Sequence, residues 1–174
     1  MNTIMTTTPK KKTTTKRKAP VKRVKLPPNP FIHEIFDLVS EQRTKAKRVE
    51  ILKEYRDDSV TAVLIWNFDE RVVSAVPGGE VPYKPNEVPV GTDHTSLRRE
   101  WKNLFHFIKG GNPSLSSLRR ETMFVQMLEG LHPTEAEIIC LVKDKDLKKL
   151  YPKITFDIVK EAYPDIVWGE HRGS

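Results

Sequence analysis

The sequence predicts an all-α, helix-dominated fold: a compact multi-helix antiparallel domain, in one variant a short solenoid-like stack, behind a disordered basic N-terminal tail. Three observations carry this expectation. Apolar residues recur at helical spacing in most segments beyond residue 29. Alternating strand patterns are scarce, and capping residues, Gly and Pro punctuate the periodic stretches. Basic residues crowd the N-terminus while the remainder is close to charge balance.

Residues 1–28 hold Lys10, Lys11, Lys12, Lys16, Arg17, Lys18, Lys22, Arg23 and Lys25 and no acidic residue. Those nine leave 21 of the 30 basic residues against 23 acidic ones, so the tail carries +9 and the rest −2. A block of like charge with few apolar side chains buries too little surface to offset the entropy of ordering its backbone. Such blocks are solvated interaction tails. The expected organisation is therefore a tail over 1–28, a helical domain over 29–168 and a polar end over 169–174.

The helices follow in order. Asn29 and Pro30 form a cap and first-position pair ahead of the stripe Phe31, Ile32, Ile35, Phe36, Leu38 and Val39. Thr44 to Tyr55 repeats the spacing with Val49, Leu52 and Tyr55, leaving Lys45, Lys47, Arg48 and Lys53 elsewhere. Asp57 and Asp58 are caps for a third, more buried helix through Val60, Val63, Leu64 and Trp66. Val72 to Val76 fits either strand or helix. Residues 77–92 contain four prolines and three glycines and cannot form a regular helix. They read as a surface connector, or else as a functional loop or hinge.

Thr95 to Lys109 predicts a helix with Leu97, Trp101, Leu104, Phe105 and Ile108 inward, stopped at Gly110-Gly111-Asn112-Pro113. Ser116 to Leu131 is apolar over a wide arc and predicts a central, largely buried helix. Thr134 to Glu137 fits a capping box opening the helix of Cys140. Shorter helices are expected over Lys143 to Leu150 and Thr155 to Tyr163.

One motif occurs twice. Residues 95–100 read Thr-Ser-Leu-Arg-Arg-Glu and residues 116–121 read Ser-Ser-Leu-Arg-Arg-Glu. Two copies are too few to define a solenoid. Thr95 and Ser116 can cap, which places Arg98, Arg99, Arg119 and Arg120 in first turns, where the helix dipole disfavours cations. Either a carboxylate offsets that cost, from Glu100, Glu121 or a neighbouring helix, or an external phosphate does. In an antiparallel hairpin the two starts lie about 20 Å apart, too far for one patch.

Several classes are disfavoured. One cysteine in an apolar run excludes an internal disulfide framework. No apolar run reaches a membrane span, and the N-terminus lacks a secretory core; its Lys content and prolines also fit an organelle transit peptide poorly. His33, His94, His106, His132 and His171 show no metal-ligand spacing, and no Gly-rich phosphate loop or nucleophile elbow is present. Asp93-His94-Thr95 reads as cap and turn, and Trp66, Trp101 and Trp168 as core anchors rather than base-stacking platforms. No cofactor, metal or catalytic residue is expected.

The segments NPFIHEIFDLVS from Asn29, Trp66 to Asp69, Gly91 to Trp101, Ser116 to Met127, Glu129 to Glu137 and Ala162 to Trp168 together resemble an uncharacterised family of small proteins of T4-like tailed phages, including cyanophages. The SLRRE hexads are the most specific part, and the tail lies outside it. The resemblance implies a setting, the cytoplasm of an infected bacterium, and no mechanism. There the most abundant polyanion is DNA, which a Lys-rich tail binds through phosphates without reading sequence. The leading expectation is a non-enzymatic DNA-binding accessory protein acting in genome organisation or transcription. Its ligands would be the nine tail cations with Arg98, Arg99, Arg119 and Arg120. The alternatives are a module that grips a host or phage protein (a polymerase, nuclease or replication factor) and an RNA- or ribosome-binding protein.

Overall fold

The computed structural model describes residues 25–89 and 94–169 and is helix-dominated, as the sequence predicts. Among the described residues the order is α1 (Ile32–Glu41), α2 (Lys45–Glu54), α3 (Asp58–Phe68), α4 (Leu97–Glu100), the 3-10 helix η1 (Trp101–Phe107), α5 (Ser117–Gly130), α6 (Pro133–Lys143), the 3-10 turn η2 (Leu147–Lys149) and α7 (Phe156–Ala162). Extended pairing among them is limited to two isolated bridges, Ser74 with Ile108 and Thr95 with Leu131. None of these helices is long and apolar enough to cross a membrane.

The second and third helices start where short polar side chains capture free amides. Thr44 accepts from Lys47 N at 3.3 Å and Asp57 from Ser59 N at 2.9 Å. α1 differs from expectation. Asn29 takes a left-handed φ of 54° rather than capping, and the helix begins only after Phe31. Glu34 accepts from Phe31 N at 3.1 Å, the reciprocal half of a capping box.

α6 is the central helix. It packs against α1, α3, α5 and η2 and buries Ala136, Ile138, Ile139 and Val142 completely. α2 lies against α1 and α7, where the buried hydroxyl of Tyr163 donates to Leu52 O at 3.0 Å. The sequence predicts the central role for the Ser116–Leu131 segment, but α6 holds it. α5 buries only Phe124, Met127 and Leu128 and leaves Leu118 77% exposed. A wide apolar arc also serves a peripheral helix that covers η1 with one face.

The expected Thr95–Lys109 helix is also corrected. One α-turn, α4, passes directly into η1. Trp101, Leu104 and Phe107 recur at intervals of three, the period that aligns side chains in a 3-10 helix. Leu104 and Phe107 are buried, whereas Phe105, expected inward, is 46% exposed. Gly110, at φ 83°, ends the segment. Residues 73–75 then pair with its end, through Ala75 N to Phe107 O at 2.7 Å and Lys109 N to Val73 O at 2.8 Å. That resolves the ambiguous Val72–Val76 piece as extended backbone. In place of a helix over Lys143–Leu150 there is only η2, because Lys145 turns back at φ 56°.

The described part of the 77–92 connector is held to α6. Lys143, fully buried, donates to Gly79 O at 2.6 Å and to the Asp144 carboxylate at 2.9 Å. Asp144 in turn accepts from Gly79 N at 3.1 Å. A buried ammonium is tolerated because it is both paired and hydrogen-bonded.

Candidate nucleic-acid interface

Of the thirteen cations expected to meet phosphate, Lys10, Lys11, Lys12, Lys16, Arg17, Lys18, Lys22 and Arg23 lie outside the described residues. Lys25 is described and exposed. The adjoining Leu26 N donates to Tyr55 Oη at 3.2 Å, which fixes the base of the tail to the residue that ends α2.

The two hexads are chemically alike and structurally unlike. Thr95 N donates to Gly130 O at 2.9 Å, so the first hexad sits at the C-terminal end of α5, while the second opens that helix. Fourteen residues of helix separate them by about 21 Å. They do not form one patch. Leu97 of the first is fully buried, whereas its counterpart Leu118 is the 77%-exposed residue on α5.

One arginine of each hexad turns inward. Arg98 Nη1 lies 2.9 Å from Asp57 Oδ1 at the start of α3, with both side chains about a quarter exposed. Its Nη2 reaches Pro30 O at 3.3 Å. Burial pushes the Asp57 carboxyl up, but the Ser59 hydroxyl and amide bonds, with Arg98, bring it below its ordinary value. Arg120 satisfies three carbonyls, His106 O at 2.9 Å, Asn112 O at 3.0 Å and Leu115 O at 3.1 Å, pinning the η1–α5 turn. The other two, Arg99 and Arg119, are exposed, and their side chains make no hydrogen bond or ion pair among the described residues.

The expected hydroxyl caps divide likewise. Ser116 accepts from Arg119 N at 3.2 Å, but Thr95 donates to Glu100 at 2.9 Å instead of capping, and α4 begins after Ser96. The amide of Leu97 is instead taken by a residue the sequence reading missed. Glu135 of α6 is fully buried, and its two oxygens accept from Leu97 N at 3.0 Å and from Ile32 N at 2.9 Å. One carboxylate therefore serves the first amides of both α1 and α4. Burial raises its pKa, opposed by the two amide bonds and by Arg98. Within Thr-Glu-Ala-Glu it had read as part of a local box. The actual cap is His132, whose ring nitrogen accepts from Thr134 N at 3.1 Å, with Pro133 first in the helix.

Three of the scattered histidines meet over this junction. His33 and His132 stack at 4.5 Å, Phe31 flanks them at 5.3 and 5.2 Å, and His94 lies 5.8 Å from His132. His94 Nε2 also contacts the Val88 carbonyl. His33 stacks on both Phe31 and His132, the Phe31–His132 and His94–His132 pairs are tilted, and among the described residues no group of three His, Cys, Asp or Glu is arranged to hold a metal ion. Burial, then the neighbouring imidazole, lowers the pKa of both His33 and His132.

The tryptophans behave as anchors to different degrees. Trp66 is buried and donates to Ser74 Oγ at 2.9 Å. Trp101 is half-buried against the core, and Trp168 packs edge-on to Phe156 at 5.4 Å.

A sequence model of a family of unknown function (DUF6433) matches residues 35–149, a stretch that contains both hexads, Asp57 and Glu135 and leaves the basic tail outside. No curated protein and no solved structure matches the chain.

Proposed function

Taking as premise that the chain belongs to this family of unknown function, we propose that it is a non-enzymatic DNA-binding accessory protein that engages duplex phosphates through its tail without reading sequence. The single observation behind this reading is the charge division, nine basic residues and no acid in 1–28 against a net −2 in the rest. Cation clusters of that density bind polyanions by counterion release. The setting, infection of a bacterium by a T4-like phage and action on the genome or its transcription, rests on the resemblance of the segments quoted above.

In this reading the fold contributes little bulk attraction, because its net charge is weakly negative. Arg98 and Arg120 hold the domain together, and Arg99 and Arg119 are the hexad residues free to meet a phosphate. Filter binding of a DNA duplex at 50 and 300 mM salt compares the full chain with a chain lacking residues 1–28. Loss of most affinity with the tail supports the proposal; equal affinity for both forms overturns it.

A protein-binding role, with the helical domain rather than the tail as the gripping part, is the second reading. Recovery of one stoichiometric protein partner with the tail-less chain, undiminished by nuclease treatment, would favour that reading over DNA.

A further inference from the structure

The hexads were the sequence's candidates for phosphate contact by the fold, yet half of their arginines are consumed internally. The densest run of cations within the fold lies elsewhere. Arg43, Lys45, Lys47 and Arg48 fall in six residues that contain no acid, at the turn into α2 and its first turn. No acidic residue occupies that first turn. Three of the four cations therefore sit where the helix dipole disfavours them, without the local carboxylate that ordinarily relieves it. Some of this charge is used. Lys45 pairs with Glu161 of α7 at 3.3 Å, with both side chains more than half exposed, and Arg48 Nε donates to Gln42 O at 3.0 Å. Arg43 and Lys47 are exposed, and their side chains make no hydrogen bond or ion pair among the described residues. Lys153, from the segment before α7, reaches Ser40 O at 3.2 Å and adds a fifth cation beside the same turn.

The position of this cluster relative to the tail supplies the second observation. Leu26 is tied to Tyr55, the residue ending α2, which places Leu26 toward one end of the helix whose other end carries the cluster. Ten residues of helix span about 15 Å. One duplex strand spaces its phosphates about 3.4 Å along the axis. A few phosphate spacings thus separate the Leu26 anchor from the cluster.

We propose that the start of α2, through Arg43 and Lys47 with Lys45, Arg48 and Lys153 around them, is the surface with which the folded domain lies on duplex DNA. This rests on the DNA reading given above and names the face of the domain that reading leaves open. Contacts of this kind position the backbone and carry no base information.

The test uses the full chain and a mixed-sequence duplex, with the slope of log K against log salt as readout. Each phosphate that is no longer neutralised lowers the magnitude of the slope by about 0.9. The double variant Arg43→Gln/Lys47→Gln is expected to lower it by about 2. Lys102→Gln/Lys109→Gln, which removes two exposed cations at η1 away from this turn, is expected to leave it unchanged, and the charge-keeping Arg43→Lys/Lys47→Arg to restore it. Far-UV circular dichroism melts establish that each variant is folded. An unchanged slope in Arg43→Gln/Lys47→Gln overturns the assignment while leaving DNA binding intact, as does an equal drop in the Lys102/Lys109 pair, which would indicate undirected surface charge. If the unmodified full chain does not bind the duplex at all, the functional reading fails and this assignment fails with it.

Discussion

The carboxylate of Glu135 is the joint on which the domain's two N-terminal helix entries depend, and its removal gives a worked prediction. Glu135→Ala leaves Ile32 N and Leu97 N without acceptors inside the fold. An unsatisfied buried donor costs about 1–3 kcal/mol, so two cost about 2–6 kcal/mol. Part is returned, because burial already disfavours the ionised carboxyl. A net loss of about 2–4 kcal/mol is expected from urea unfolding followed by circular dichroism. Glu135→Gln keeps one acceptor and should lose about half as much. The pH dependence has a definite sign. A carboxyl whose folded pKa is raised contributes stability that is full below its ordinary value, near 4.5, and is lost as pH rises through the raised value. The advantage of Glu over Gln is therefore expected to shrink from pH 4 toward neutrality. Glu135→Ala within about 0.5 kcal/mol of the unmodified chain would mean that water serves those amides, and the joint would have no energetic meaning.

Other substitutions separate the two hexads. Leu97→Ala should cost about 2–5 kcal/mol as a core truncation, and Leu118→Ala less than about 0.5 kcal/mol, measured by urea midpoints. Arg120→Ala should cost about 1.5–3 kcal/mol through its carbonyl bonds, whereas Arg119→Ala should be close to neutral by the same assay. The histidine stack predicts acid sensitivity. His33 and His132 have lowered pKa values, so their contribution is full above about pH 6.5 and is lost as pH falls through the depressed values. Around them, Glu34 and Asp37 on α1 favour protonation of His33 and Glu34 that of His132, while His132 opposes it at His33 and His94 opposes it at His132. His33→Phe keeps the ring stack, and melts between pH 5 and 7 should show a weaker acid dependence.

Much of the architecture was legible because local signals and burial agreed. Thr44 and Asp57 cap the helices they announced, and the stripe from Ile32 to Val39 faces the core. The failures share a physical cause, tertiary partners that a linear pattern does not contain. Asn29 yields its expected cap because Glu34 and Glu135 take the first amides of α1. Trp101, Leu104 and Phe107 satisfy both a 3.6-residue and a three-residue reading, and the tighter helix forms where η1 packs against both α3 and α5. The breadth of apolar residues on Ser116–Leu131 suggested a centre, but α6 holds it, carrying a buried Glu and a buried Lys that few would place in a core.

The candidate interface was legible only in part. The charge of the tail is plain from composition, and the cost of cations at helix starts draws attention to the hexad arginines, of which Arg98 and Arg120 have partners inside the fold. Which of them find partners inside depends on helix rotation: Arg98 and Arg120 occupy different positions of the same motif and both turn inward. The run from Arg43 to Arg48 carries a similar signature without a repeated motif to draw attention to it. His33, His94 and His132 were too distant in sequence to suggest a stack.

The central claim is that this protein binds duplex DNA through phosphate neutralisation by its N-terminal cations. Its most direct test is the affinity of the full chain for a duplex measured across a salt series. With 6 to 9 phosphates neutralised, the account predicts a log–log slope of about −5 to −8, unaltered when the duplex sequence is changed. A slope near zero, or affinity confined to one sequence, would contradict it.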